Sequence, residues 1–120
     1  MEIENHKLKI AKVIKDVNVE GLDIQKYQYK PKTFTKLPAI TYSLTTESIA
    51  MQFRGIGRQR ATFQINIWGE KSTDISKILI ELKKEMLQNG IYYVNGGDFE
   101  DPSGIKRYIC SFEIRWDKRK

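Results

Sequence analysis

At 120 residues, with 40% hydrophobic and 30% charged side chains, the chain has the size and balance of one globular domain. Such a domain buries roughly two-thirds of its unfolded surface and needs no staples. No stretch approaches the ~18 apolar residues of a membrane helix, and a lone cysteine (Cys110) beside a lone histidine (His6) excludes an intramolecular disulfide and a Cys/His zinc site. The net charge of +6 suits nucleic acid, an acidic protein or an anionic membrane surface, and it also serves solubility.

The opening MEIENHKLKI is acidic before it is basic and has no apolar h-region, so no secretory signal is expected and synthesis and folding in the cytoplasm are. Residues 2–17 predict a helix. Leu8, Ala11 and Ile14 form one apolar line, with Ile10, Val13 and Val17 on an adjoining one. Lysines 7, 9, 12 and 15 take the other side, and Gly21 follows the end. Residues 22–37 predict a loop containing a short edge strand. Tyr27 and Tyr29 alternate with Gln28 and Lys30, and Pro31 would interrupt any central strand.

PAITYSLTT, 38–46, reads as a strand with Ile40, Tyr42 and Leu44 on one face and Thr41, Ser43 and Thr45 on the other. IAMQF, 49–53, extends it or starts a partner strand after a bulge near Glu47 and Ser48. In the next strand Ala61, Phe63, Ile65 and Ile67 alternate with Thr62, Gln64, Asn66 and Trp68. A helix follows, with Ser72 as its cap, Asp74 in its first turn and an apolar stripe of Ile75, Ile78, Leu79, Leu82 and Met86. Asn89-Gly90 closes it. Ile91 to Val94 is a short strand, NGGDFEDPSG a long turn, and 105–116 a last strand with Tyr108, Cys110, Phe112, Ile114 and Trp116 in phase. Cys110 therefore reads as a small core hydrophobe.

No repeat, low-complexity tract or compositional break marks a linker, so residues 1–120 are read as a single domain. The element order is α-β-β-β-α-β-β. It predicts an α+β fold: an antiparallel or mixed sheet with a long hairpin, packed on one face by two helices.

Candidate chemistry is sparse. No nucleophile, base and orienting partner come together in the sequence, so no catalytic residue, cofactor or metal is assigned. His6 sits near the N-terminus, and Asp98, Glu100 and Asp101 have turn composition without the spacing of an EF-hand loop. The hairpin segment RGIGRQR, 54–60, lacks the third glycine of a dinucleotide fingerprint and leads into a strand, where that fingerprint opens a helix. Gly55 and Gly57 allow positive φ at a turn. Arg54, Arg58 and Arg60, with Lys106 and Arg107 expected nearby, can contact phosphates or pair with carboxylates on another subunit. The basic excess is spread over HKLKIAKVIK, YQYKPKTFTK, RGIGRQR and DKRK.

LPAITYSL, the strand ending FQINIWGE, the polar helix start with DISKILIELKKEML, GIYYV and KRYICSFEIRW together resemble the small tail terminator or tail completion (head-tail joining) proteins of tailed bacteriophages. The resemblance runs from Leu37 to Trp116 and carries no catalytic residues. It implies a non-enzymatic virion or prophage protein, made in the host bacterial cytoplasm, which caps the tail tube and joins it to the head. Its implied partners are copies of itself in a homohexameric ring (monomeric before assembly), the tail tube protein and a head-completion or connector protein, with no membrane. The loop Arg54, Gly55, Gly57, Arg58 and Arg60 would then face the ring lumen or a partner, meeting an acidic surface or DNA passing through the channel. Acids such as Glu47, Glu70 or Asp98 of a neighbouring copy are candidate counterparts. The alternative from another class is a small basic nucleic-acid-binding module using the Arg54–Arg60 loop.

Overall fold

The computed structural model describes residues 3–28, 36–53, 56–100 and 104–119, with side chains over 7–28, 36–43, 61–99 and 104–115. The chain runs α1 (Ile3–Asp16), β1 (Gln25–Tyr27), β2 (Ala39–Phe53), β3 (Ile56–Gly69), α2 (Ser72–Gln88), β4 (Tyr92–Glu100) and β5 (Lys106–Arg119). The strands form one five-stranded sheet in the order β1-β2-β3-β5-β4. The β1–β2 pair is parallel and the others are antiparallel, so the sheet is mixed. The expected α+β class and element order are those observed.

Side-chain alternation explains which sheet face is covered. Ile40 on β2, Ala61, Phe63, Ile65 and Ile67 on β3, and Cys110, Phe112 and Ile114 on β5 share one buried cluster with the helices. Each large side chain in that cluster contributes about 1.5–3 kcal/mol by leaving water. From α2 the cluster takes Ile75, Ile78, Leu82 and Met86, with Leu79 packed at its margin. From α1 it takes Ile10, Val13, Ile14 and Val17, which repeat at i, i+3, i+4 and i+7. Only one of the two expected α1 lines is therefore fully used: Leu8 is 70% exposed and Ala11 half-buried, because a second line lies too far round the helix to reach the sheet.

The ends of α2 are held unequally. Ser72 is not the cap. Lys71 holds that position in extended geometry with no side-chain bond, and its carbonyl accepts the Ile75 amide at 3.3 Å. Ser72 is already helical, and its Oγ accepts from Lys106 Nζ at 3.3 Å. At the other end Gly90, at φ +74°, lets its own amide reach the Leu87 carbonyl at 3.0 Å and the Ile91 amide reach that of Met86 at 2.9 Å. This paired closure is available because glycine takes the left-handed conformation without strain, and it delivers Ile91 into the core.

Residues 22–37 do contain an edge strand, and β1 has a job that composition alone does not reveal. Lys26 sends Nζ to the carbonyls of Lys15 and Val17, 2.7 Å from each, and so satisfies acceptors left over at the end of α1. Burial lowers the Lys26 pKa, and neighbouring Asp16 works against that. Tyr29 and Pro31 lie outside the described residues.

β2 runs through to Phe53 as one strand. Its register against β3 slips by one residue at Thr45 and again at Ala50, on either side of the expected bulge at 47–48. The segment expected to be a turn after Val94 is strand instead. Asn95–Glu100 continue β4 and pair with Lys106–Ser111, after a one-residue slip at Val94. Glycine and aspartate disfavour strands locally, but the cross-strand partner decides here. Gly96 is needed for another reason: a Cβ there would lie 2.6 Å from Tyr108 Oη and 2.7 Å from its Cε1.

Candidate functional site

β2, β3 and β5 form a ribbon that continues past the helix-covered core. Among the described side chains the core ends at Ala61 and Ile114, a cross-strand pair. Beyond it β3 continues through Arg60–Ile56, paired with β2 on one side as far as Phe53↔Ile56 and with β5 on the other as far as Ile56↔Arg119. The molecule is accordingly elongated, 51 × 28 × 21 Å.

Of the expected loop residues, Gly57, Arg58 and Arg60 are placed on the backbone of β3 at this far end, and Arg54 and Gly55 lie outside the described residues. The register adds residues that the sequence did not bring together. Lys118 lies opposite Gly57, Arg119 opposite Ile56, Asp117 opposite Arg58 and Arg115 opposite Arg60. Asp117, Lys118 and Arg119 of the run DKRK, remote in the chain, are thus carried to the same end of the ribbon.

Lys106 and Arg107, by contrast, are not near the loop. They lie opposite Gly69 and Trp68 at the other end of β3. Eight residues separate Arg60 from Trp68, about 26 Å along a strand. There Lys106 lies in phase with Tyr108 and Cys110 and reaches Ser72 of α2, whereas Arg107, on the face away from the helices, belongs to a different constellation. Trp68 is 2% exposed although its position is in the polar phase of the β3 alternation. Its Nε1 donates to Thr41 Oγ1 at 3.0 Å. The Arg107 guanidinium sits 4.6 Å over the indole, and its Nε donates to Asn66 Oδ1 at 3.0 Å. Thr41 and Asn66 are themselves buried. Nearby, Arg115 Nε donates to Glu113 Oε2 at 2.6 Å, with the carboxylate buried and the arginine exposed.

Two strand edges are unpaired among the described residues. β1 covers β2 over Ala39–Thr41, and no other described residue pairs with that side of β2 from Tyr42 to Phe53. At the opposite edge β4 is open along its length and carries exposed Tyr92, Val94 and Phe99. Tyr93 is steadier: it packs edge-on against Phe112 at 5.5 Å, carries Lys83 Nζ 4.0 Å over its ring, and shares a 2.7 Å hydrogen bond with Tyr108.

Asp98 and Glu100 are strand residues of β4, and Asp101 lies outside the described residues. Among the described residues no three His, Cys, Asp or Glu side chains gather as metal ligands. His6 is in α1, and its side chain lies outside the described set. Burial pushes the Cys110 thiol up to about 12, which leaves it protonated and unreactive at neutral pH. No helix is long and apolar enough to cross a membrane, among the described residues.

No family model and no curated protein matches the chain. Solved structures do match in fold. One is a chain from the virion of a native gene transfer agent particle, with a TM-score of 0.61, 10% identity, and 91% of this chain and 84% of that one covered. At that identity the correspondence establishes a shared fold: the two-helix, mixed-sheet arrangement described above, nearly end to end in both chains.

Proposed function

We propose that this chain is a structural protein of a phage or phage-derived tail, capping the tail tube and joining it to the head through ring-forming subunit contacts. The observation that carries this reading is the near-complete fold correspondence with a chain of a virion particle. It supports the same class that the Leu37–Trp116 resemblance implies.

The sheet edges supply a physical route to assembly. A ring needs two different, complementary surfaces on each subunit. The open side of β2 and the open side of β4 lie at opposite margins of one sheet. Open edges pair readily with other strands. A head-to-tail contact between them would continue the sheet from copy to copy, and six copies would close the ring that the family resemblance implies. The far end of the β2–β3–β5 ribbon, with Arg58, Arg60, Lys118 and Arg119, then projects toward the lumen or a partner and supplies cations for acidic protein or DNA.

Electron microscopy of the purified protein mixed with its cognate tail tubes tests this reading. Capped tubes of fixed length, with density at one end, are expected. Tubes that polymerise past their normal length and carry no added density would overturn it. A second reading is favoured by one observation, the convergence of the C-terminal basic run on the hairpin end: a small nucleic-acid-binding module. Its signature is binding to DNA or RNA that weakens steeply with salt. Absence of a mobility shift at low salt removes it.

A further inference from the structure

On the helix-free face, one arginine is gripped on two sides and open on a third. Trp68 lies beneath the Arg107 guanidinium and Asn66 fixes its Nε. The terminal Nη groups donate to no acceptor among the described residues. Beside them is an open hollow of about 180 Å³, rimmed by Gln28, Thr41, Ser43, Asn66, Trp68 and Arg107. That is larger than the ~150 Å³ cavity known to admit a benzene ring, so one short side chain fits.

We propose that Arg107 is a receptor for a single carboxylate side chain of an acidic partner protein, inserted into this hollow. Three features carry the assignment. First, the guanidinium is pre-organised. Stacking on Trp68 and the bond to Asn66 remove most of the rotamer freedom that an exposed arginine would lose on binding. Second, the geometry leaves a fork of parallel N–H donors, which matches a carboxylate in two-point fashion. Third, the rest of the rim is neutral among the described residues. Amides and hydroxyls from Gln28, Ser43, Thr41 and Asn66 can hydrogen-bond a carboxylate's spare lone pairs, but they cannot follow a phosphate backbone. A nucleic acid would need several cations in a track, and the nearby Lys106 instead reaches Ser72 at the start of α2. The chain's own charge of +6 points the same way, toward an acidic partner in preference to another copy.

The site needs no ring and no tube, so its test is independent of the capping experiment. The probe is an acetylated, amidated hexaglutamate peptide, titrated into the isolated protein at constant ionic strength, with hexaglutamine as control. Proton–nitrogen NMR reads the Arg107 Nε–H and Trp68 Nε1–H signals. Both are expected to move together and saturate with hexaglutamate, and to stay still with hexaglutamine. Arg107→Lys keeps the charge but loses the fork, and is expected to raise the midpoint about tenfold. Asn66→Asp places a carboxylate within reach of the same guanidinium and is expected to abolish the response by occupying it internally. That second variant keeps the stack and guards against mere misfolding of the first. Equal titration of wild type and both variants, no saturable movement, or tighter binding of a hexathymidylate than of hexaglutamate would each overturn the proposal.

Discussion

Cys110 sits at the centre of β5, 1% exposed, with Sγ directed at the Ile65 carbonyl at 3.4 Å. Burial raises its pKa from 9.0 to about 12. A thiol whose folded pKa is raised contributes stability that is complete below the unfolded pKa. That contribution is lost as pH rises toward the folded pKa, because the unfolded chain ionises first. Between pH 9 and 11 the unfolded thiol gives up its proton and the folded one keeps it. Two pH units at about 1.4 kcal/mol each amount to about 3 kcal/mol of lost stability from this group alone. Cys110→Ala removes the titration. At pH 7 the variant is expected to be weaker by about 1–2 kcal/mol, from the small cavity left behind. Urea unfolding followed by circular dichroism, under reductant at pH 7, 9, 10 and 11, reads both curves. The other ionisable groups are common to the two proteins and cancel in the difference. The two stabilities should therefore converge and cross by pH 11. Parallel curves, agreeing in slope within about 0.5 kcal/mol, would mean that water reaches the thiolate and that the β5 centre is not sealed as described.

Phe63→Ala, in the middle of β3, should cost about 3–5 kcal/mol in urea unfolding, because the side chain is fully buried within the core cluster and leaves a cavity there; a loss below about 1 kcal/mol would be inconsistent with that burial. Lys26→Met keeps the aliphatic stem and deletes both carbonyl bonds, and with allowance for partial exposure it should cost about 1–2 kcal/mol. Hydrogen exchange should show the loss at the end of α1 and in β1; unchanged protection there would count against the clamp. Gly96→Ala should drive apart the hydroxyls of Tyr93 and Tyr108 at a cost of about 1–2 kcal/mol. Adding Tyr93→Phe should recover part of that, and no recovery would mean that the crowding lies in the backbone.

The elements that could be read in the sequence are those whose pattern is set by one buried face. The 61–67 alternation and the 75–86 stripe are legible because one wrong phase would expose every apolar side chain to water. Asn89-Gly90 is legible because a left-handed residue is a local requirement. What could not be read depends on partners distant in the chain. Residues 95–100 have the composition of a turn and become strand only because β5 offers a ladder to pair with. The α1 stripe was ambiguous because two apolar lines exist, and only the position of the sheet selects Ile10, Val13, Ile14 and Val17. Lys26 and the end of α1 meet across a loop. The meeting of Lys118 and Arg119 with Ile56 and Gly57 follows from a strand register that no local pattern encodes. One signal was present and informative: Trp68 occupies the polar phase of its strand. A large indole in that phase needs a cover of its own, and the cover is Arg107.

The far end of the ribbon links fold to proposed assembly and makes a last prediction. A β-structure gains independent stability when several strands share a hydrophobic face or pack on a helix. Along β3 the described core stops at Ala61, and Ile56–Arg60 continue with strand neighbours on both sides. The end of a strand ribbon opens before its centre, because fewer pairings are broken there. In the isolated subunit, amides of residues 57–60 should therefore exchange much faster than those of 62–67, by local opening of the ribbon end. If the ribbon end is where a tube or connector docks, adding cognate tubes should slow exchange at 57–60 and at 117–119 together, because those segments are register partners. The core amides, already protected, should change little. Protection that is already equal along β3 in the free subunit would show that the ribbon needs no partner. Protection gained only along β4 or the open side of β2, with 57–60 unchanged, would assign assembly to the sheet edges alone and remove the hairpin end from the contact.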